Sequence, residues 1–432
     1  MRYEEYKDSG MEWIGEVPSH WEVRKIKTLS IVKRGASPRP IDNPKYFDDN
    51  GEYAWVRIAD VSSSERYLKE TTQTLSKLGA SLSVKREPGD IFISIAGTVG
   101  KPIITHIRCC IHDGFVWFPH LKQDSEFLYY IFMSGQPYLG LGKMGTQLNL
   151  NTETIGEIRI PIPPLSEQQA IADYLDAKCG EINRAIDVQK KKIDLLNELK
   201  QTVITDAVTK GLNPNAPMKD SGVEWIGEVP EHWDVMRLRF ASEFRNGYTP
   251  SKANPEFWTD GTIPWYRMED IRESGRFLKE AKQYITPEAV KGNGLFEAGS
   301  FILATTATIG EHAVLIVDSL ANQRFTNLKI RKSLSHNLSG KYFFYYLFVV
   351  DEYCKTTTRT ATFPAVNMDD LKNFGITIPP VSEQQSIVAH IEKEVEKIDT
   401  QISKAHRKIE LLDELKQSII TEAVTGKIKV SL

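Results

Sequence analysis

Cysteine is scarce in this chain: four in 432 residues, at positions 109, 110, 179 and 354, with no Cys-x-x-Cys spacing among them. That argues against a disulfide framework or a zinc ribbon and fits a reducing cytoplasm. No apolar run approaches the roughly 18 residues of a membrane span, and the opening MRYEEYKDSG has no signal-peptide core. His106, His112 and His120 crowd one stretch, but no Cys, Asp or Glu falls at a ligand spacing beside them, so they read as core or surface histidines. Nucleotide chemistry is missing too. Gly140-Leu141-Gly142-Lys143-Met144 imitates a phosphate loop, yet its first glycine spacing fails and Met144 stands where Ser or Thr would bind magnesium. The two Pro-Pro pairs, Ile162-Pro163-Pro164-Leu165 and Ile378-Pro379-Pro380-Val381, lack the polar residue before and the aromatic residue after that amino-methyltransferases use. An excess of basic charge is also absent, the formal net charge being −3.

What is present is a tandem repeat. Pro163-Pro164-Leu165-Ser166-Glu167-Gln168-Gln169 returns 216 residues later as Pro379-Pro380-Val381-Ser382-Glu383-Gln384-Gln385. A proline pair blocks helix upstream, and Ser166 or Ser382 is placed as an N-cap with Gln169 or Gln385 three residues on, the spacing of a capping box. Apolar residues then recur at 3-4 spacing: Ala172, Leu175, Cys179, Ile182, Ile186, Gln189, Ile193 and Leu196 in the first copy. The second has Val388, Ile391, Val395, Ile398, Ile402, Ala405, Ile409 and Leu412. Four heptads predict a coiled-coil seam, and some 44 residues of helix span roughly 65 Å. A helix that long cannot hide its stripe alone, so the two copies are expected to pair.

The stretch from Lys7 to Trp21 returns 212 residues later as Lys219 to Trp233, with Trp-Ile-Gly-Glu-Val-Pro-x-His-Trp in both. Its tryptophans, Trp13, Trp21, Trp225 and Trp233, are expected to pin each lobe to the helical spine rather than to stack on bases. The resulting order is connector (1–21), lobe (22–162), helix (163–210), connector (211–233), lobe (234–378), helix (379–432). The lobes share only a skeleton, including Trp55-Val56-Arg57-Ile58-Ala59-Asp60 against Trp265-Tyr266-Arg267-Met268-Glu269-Asp270. Short β-branched runs bounded by Gly, Pro and Asp predict mixed α/β lobes with an irregular sheet, an α+β chain overall. Charge divides along the same lines. Residues 22–162 carry 18 Lys+Arg against 15 Asp+Glu and residues 234–378 carry 18 against 16, so the acidity lies on the helices and linkers. The lobes have the sign that a DNA contact needs.

Repeated Pro-Pro-[Leu/Val]-Ser-Glu-Gln-Gln openings, paired Leu-Lys-Gln helices and duplicated connectors resemble the specificity subunit of type I restriction-modification enzymes, over essentially the whole chain. The resemblance implies two target recognition domains, each reading one half of a bipartite, asymmetric double-stranded DNA site. Two antiparallel spacer helices would relate them by a pseudo-twofold and dock two methyltransferase subunits, with restriction subunits joining the complex. It implies no cofactor on this chain: S-adenosylmethionine belongs to the methyltransferase subunit, ATP and magnesium to the restriction subunit. It also implies a cytoplasmic protein that takes part in phage defence and catalyses nothing itself.

Under that resemblance the candidate DNA contacts are the polar, basic and glycine-containing loops of the lobes. In the first lobe these are Arg34, Ser37, Arg39, Arg57, Thr98, Lys101, Lys143, Thr146 and Gln147. In the second they are Arg245, Tyr248, Thr249, Lys252, Arg267, Thr308, Arg324, Arg359 and Thr360. Arg and Lys suit phosphates or guanine edges, Gln and Asn suit adenine, and Thr and Ser suit either. Arg57 with Asp60, and Arg267 with Asp270, could instead be internal ion pairs. Three other functions remain compatible: a specificity chain of a modification-only system, a protein-binding coiled-coil scaffold, and an unrecognised nuclease or methyltransferase. An enzyme would be exposed by cutting or methylation by the purified chain, and a scaffold by failure of the partner-bound chain to bind DNA sequence-specifically.

Overall fold

The computed structural model describes residues 2–141, 150–306, 309–358 and 365–430. The chain is α+β and divides into two compact units, Met1–Gln189 with His406–Leu432, and Lys190–Ala405. Each unit therefore holds one lobe, one connector and a piece of both long helices, Leu165–Lys210 and Val381–Val424.

The heptad expectation holds at every position named: all the seam residues, Gln189 included, are buried or half-buried. Within the first unit the helix pieces run antiparallel. Lys416 donates to Asn183 at 2.8 Å, while Ile171 and Leu175 share a core with Ile420, Ala423 and Val424. The second unit repeats this, with Lys200 on Asp399 at 2.8 Å and Ile204 and Val208 in one core with Ile387 and Ile391. Lys200 and Lys416 are equivalent under the 216-residue repeat, as are Asn183 and Asp399. One cross-helix bond has thus been kept while its acceptor changed from amide to carboxylate.

The helix starts differ from expectation. Both begin two residues earlier than a serine N-cap implies, at Leu165 and Val381, so Ser166 and Ser382 lie in the first turn and Gln169 and Gln385 are exposed. The first bond runs from the Gln168 N–H to the Pro164 carbonyl, 3.0 Å, and from Gln384 to Pro380, 3.0 Å. A proline can cap because only its carbonyl is needed there. The motif's polar residues serve tertiary contacts instead. Glu167 accepts Trp21 Nε1 at 3.0 Å and meets His20 at 2.7 Å; Glu383 accepts Trp233 Nε1 at 2.8 Å and meets His232 at 2.6 Å. Burial opposes the charge on Glu167, but hydrogen bonds from His20, Trp21 and Tyr3 outweigh it and hold the carboxyl below the usual range. The adjacent glutamines are buried and tie the lobes. Gln168 Oε1 accepts the Asp124 N–H (2.9 Å), and Gln384 Oε1 accepts the Ser339 N–H (2.8 Å). Trp21 and Trp233 are fully buried, as expected of pins, while Trp225 stacks on Phe374 at 4.0 Å.

Each lobe has two main sheets, besides an antiparallel pair that joins its two ends, 22–25 with 159–162 or 234–237 with 375–378. The first lobe's larger sheet orders its strands 33–34, 115–117, 91–94, 102–105 and 67–68, and the second lobe's orders 242–246, 325–330, 301–304, 312–315 and 277–278. Pairing is antiparallel except for the last strand in each, which is parallel. The smaller sheets centre on Tyr53–Val56, beside Cys109–Ile111, and on Ile263–Tyr266, beside Leu320–Ala321, both parallel. Registers match at an offset of 210: Phe115 faces Ser94 as Phe325 faces Ala304.

Candidate nucleic-acid interface

In each lobe a three-residue turn carries the chain from the smaller sheet to the larger. It is His112-Asp113-Gly114 in the first and Asn322-Gln323-Arg324 in the second. Against it lies the segment leaving the edge strand, Gly35-Ala36-Ser37-Pro38 or Gly247-Tyr248-Thr249-Pro250. A Cβ on Gly35 would sit 2.2 Å from the His112 carbonyl oxygen, and one on Gly247 2.2 Å from that of Asn322. Only glycine admits that approach. It lets Ala36 N donate to Ile111 O (3.1 Å), and Tyr248 N to Ala321 O (2.9 Å).

The hydroxyl two residues past each glycine then reaches the turn. Ser37 Oγ donates to Asp113 Oδ1 at 2.7 Å, and Thr249 Oγ1 donates to Gln323 Oε1. In the first lobe Arg39 Nη2 donates to Asp113 Oδ2 at 2.8 Å, and Arg34 Nε donates to the Asp113 carbonyl. The Ser37 hydrogen bond, with Arg39 nearby, holds the Asp113 carboxyl below its usual range against the opposing effect of burial. Burial holds the His112 pKa down; Asp113 opposes this, while the Arg34 and Arg57 charges reinforce it. Arg34, Ser37 and Arg39 therefore bond to one turn, while the Arg57 side chain bonds to Thr72 and acts on His112 only through its charge.

Arg57 and Arg267 open the short helices Ile58–Ser63 and Met268–Ser274. Asp60 and Asp270 accept their main-chain N–H groups at 2.8 and 2.6 Å, and also those of Thr72 and Lys282 at 3.2 and 2.9 Å. The buried aspartates thus serve the backbone first. The Arg57 guanidinium also pairs with Asp60, Nε to Oδ2 at 4.0 Å, as its internal reading expects, while Nη2 reaches the Thr72 hydroxyl; Arg267 pairs with Glu269 instead of Asp270. Thr98 shares a 2.6 Å hydrogen bond with Ser62, and Lys101 donates to the Ser64 carbonyl, burial lowering its pKa.

Arg245 is consumed internally. Its guanidinium donates to the carbonyls of Asn293 (2.7 Å), Leu295 (3.0 Å) and Gly294, and lies 4.6 Å from the Phe296 ring centroid. Strand register explains this. Arg34 pairs with Val116 and Asn246 with Thr326, so Arg34 corresponds to Asn246, and Arg245 corresponds to Lys33. A one-residue step along a strand reverses the face of the sheet. Tyr248 is likewise tied down, its hydroxyl donating to Ala289 O at 3.2 Å and accepting the Lys291 N–H at 2.8 Å. Lys252 and Arg324 are exposed. Lys143, Thr146, Gln147, Thr308, Arg359 and Thr360 lie outside the described residues.

Sequence reasoning missed Asp113 and Gln323, and also Arg66 and Arg276, which the Arg-[Tyr/Phe]-Leu-Lys-Glu repeat could have flagged. Arg66 pairs with Glu126 and with Asp176 on the first long helix, whereas Arg276 pairs with Asp351 at 2.9 Å inside its own lobe. Among the described residues no group of three or more His, Cys, Asp or Glu could hold a metal, and no helix is long and apolar enough to cross a membrane.

The family described as "Type I restriction modification DNA specificity domain" matches this sequence twice, at residues 18–198 and 230–412. The chain belongs to that family. Its two copies coincide with the two lobe-and-helix repeats. Among curated specificity subunits, the EcoprrI subunit of Escherichia coli is 45% identical over 175 residues, a match covering 40% of this chain and 44% of that one. The putative MjaX subunit of Methanocaldococcus jannaschii is 25% identical over 443 residues, covering 96% of both. A solved chain from a study of assembly and conformational transition of the type I R-M system covers 95% of this chain and 99% of its own. Its TM-score is 0.69 at 16% identity, a likeness of fold.

Proposed function

We infer that this specificity subunit is the non-catalytic DNA reader of a type I restriction-modification complex, each lobe taking one half of a bipartite, asymmetric site. One observation carries the reading: both lobes are mounted by the same Glu-Trp and Gln-backbone contacts, while the turn facing Ser37 or Thr249 has changed its chemistry from carboxylate to amide. A shared mount with altered contact residues suits two readers of different sequences. The family resemblance adds methylation by S-adenosylmethionine-bearing methyltransferase subunits, ATP- and magnesium-dependent cleavage by restriction subunits, and action in the cytoplasm. Replacing residues 234–378 by the corresponding lobe of a relative should change one half of the methylated sequence, mapped by methylome sequencing, and leave the other half intact. Both halves changing together would refute modular reading.

Two methyltransferase subunits are proposed to dock on the helices. Leu195 and Leu199 are exposed on the first helix, and Leu411 and Leu415 at the equivalent positions on the second. A repeated pair of exposed leucines, i and i+4 on one helical face, suits an apolar partner surface presented twice. Native mass spectrometry of the assembled complex should find two methyltransferase subunits, and Leu411→Asp with Leu415→Asp should leave one. Two retained subunits would place the docking surface elsewhere.

A further inference from the structure

The turn that joins the two sheets of each lobe combines a conserved frame with exchanged chemistry. The frame is the glycine against the turn carbonyl (Gly35 or Gly247) and the hydroxyl bridge from Ser37 or Thr249. On it, Asp113 is replaced by Gln323 and Gly114 by Arg324 in the register where Phe115 corresponds to Phe325. On the facing segment the exchange runs the other way: Arg34 becomes Asn246, and Arg39, one residue past the shared proline, becomes Ser251. The first lobe thus brings its guanidinium groups from the edge-strand side, held by the turn. The second brings one from the turn itself. A turn kept only to join two sheets would have no reason to trade a carboxylate for an amide while moving the arginine across.

We propose that this turn selects bases in each lobe: Asp113 aims Arg34 and Arg39 at guanine edges in one half-site, and Gln323 beside Arg324 reads an adenine-containing step in the other. The proposal rests on the reading of the lobes as DNA readers. Asp113 is a positioning residue, because both its carboxylate oxygens are taken, Oδ1 by Ser37 and Oδ2 by Arg39 at 2.8 Å. Arg39 nonetheless remains 68% exposed at its side chain, with further N–H groups of its five to offer. The pair fixes one edge of the guanidinium and leaves the other for a bidentate contact with guanine O6 and N7. Gln323 is exposed and receives Thr249 on Oε1. That oxygen keeps a second lone pair, and Nε2 has no partner among the described residues, the combination that pairs with adenine N6 and N7. The Arg324 side chain is exposed and also has none among them; only its main chain is held, the N–H by Asn322 Oδ1 at 2.9 Å and the carbonyl by the Thr305 N–H at 2.9 Å.

The test takes the full-length chain assembled with its methyltransferase partner and selects binders from randomised double-stranded DNA, sequencing the survivors. Gln323→Ala should make one base position degenerate in one half-site, cutting discrimination there roughly five- to 150-fold, the range of a lost bidentate base contact. The other half-site should keep its sequence. The isosteric Gln323→Glu guards against simple misfolding and should shift the same position toward cytosine, whose N4 donates to a carboxylate. Asp113→Asn should blur a position in the opposite half-site, and Arg39→Ala should blur the same position, because Asp113 acts through that arginine. Thermal melting should be alike for Gln323→Ala, Gln323→Glu and the parent. Variants that weaken all sequences equally, or that leave the selected sequence unchanged, overturn the proposal. A parent complex that selects no sequence at all overturns the DNA-reading interpretation beneath it, and the proposal falls with it.

Discussion

Asp351→Ala should destabilise the second unit by about 3–5 kcal/mol, the cost of leaving buried charge without its partner. Asp351 lies on the helix Gly340–Thr358 and is buried. Its Oδ2 accepts His312 Nδ1 at 2.7 Å and Arg276 Nη1 at 2.9 Å. Arg276 also donates to the His312 carbonyl at 2.9 Å and lies 4.6 Å from the Phe348 ring centroid. It does so with φ at 75°, a left-handed backbone that arginine adopts only when its surroundings hold it there. Removing the carboxylate leaves the guanidinium unpaired and the backbone strain unopposed. Urea unfolding followed by hydrogen exchange in this lobe measures the loss, and a change below about 1 kcal/mol would show that the cluster carries little stability.

The same cluster sets a pH dependence. Burial holds the His312 pKa below its unfolded value of about 6.5, although Asp351 pulls the other way. The folded state therefore favours the neutral ring, so its contribution is complete above that value and declines as pH falls. Burial works against the Asp351 charge, but His312 and Arg276 outweigh it, and its carboxyl stays below the usual range. That adds a second loss of the same sign below about pH 4. Stability of the second unit should fall steadily from pH 7 toward pH 4, and Asp351→Ala should flatten the acid end of that curve. The first lobe has Pro102 where the second has His312, by strand register, so its acid response should lack the histidine component.

Trp21→Ala and Trp233→Ala should each cost about 3–5 kcal/mol, and by similar amounts, because each empties an equivalent site. Both indoles are fully buried and donate Nε1 to a glutamate at the start of a long helix. A Cβ on Gly211 would lie 3.0 Å from the Trp233 ring, and one on Gly426 3.0 Å from Trp21. The helix end thus closes over the indole in both units. Trp233→Phe keeps most of the apolar burial and removes the donor to a charged group, so about 1.5–3 kcal/mol should be lost. Hydrogen exchange reports the two units separately, and each substitution should loosen its own unit. A large loss from Trp233→Ala with none from Trp21→Ala would break the equivalence of the two connectors.

Both predictions turn on contacts that could be read from sequence only in outline. The tandem repeat, the two long helices and the pinning role of Trp21 and Trp233 were legible, because they rest on local regularities: 3-4 apolar spacing, proline and glycine punctuation, and near-identical copies. The partners of the polar residues were not. Ser166 and Gln169 carry the spacing of a capping box, but the chain starts its helix at Leu165 and uses Glu167 and Gln168 for distant contacts instead. Arg34 and Arg245 look alike in their loops, yet one faces the turn and the other is spent on three carbonyls, because the strands pair one residue out of step with the visual match. Asp113 drew no notice at all, although it holds Ser37, Arg34 and Arg39 together. A helix writes its period into consecutive residues, whereas a sheet register and the far end of a hydrogen bond depend on segments brought together from 44 to more than 140 positions apart. Which polar group meets which is therefore settled by strand order, not by spacing along the chain.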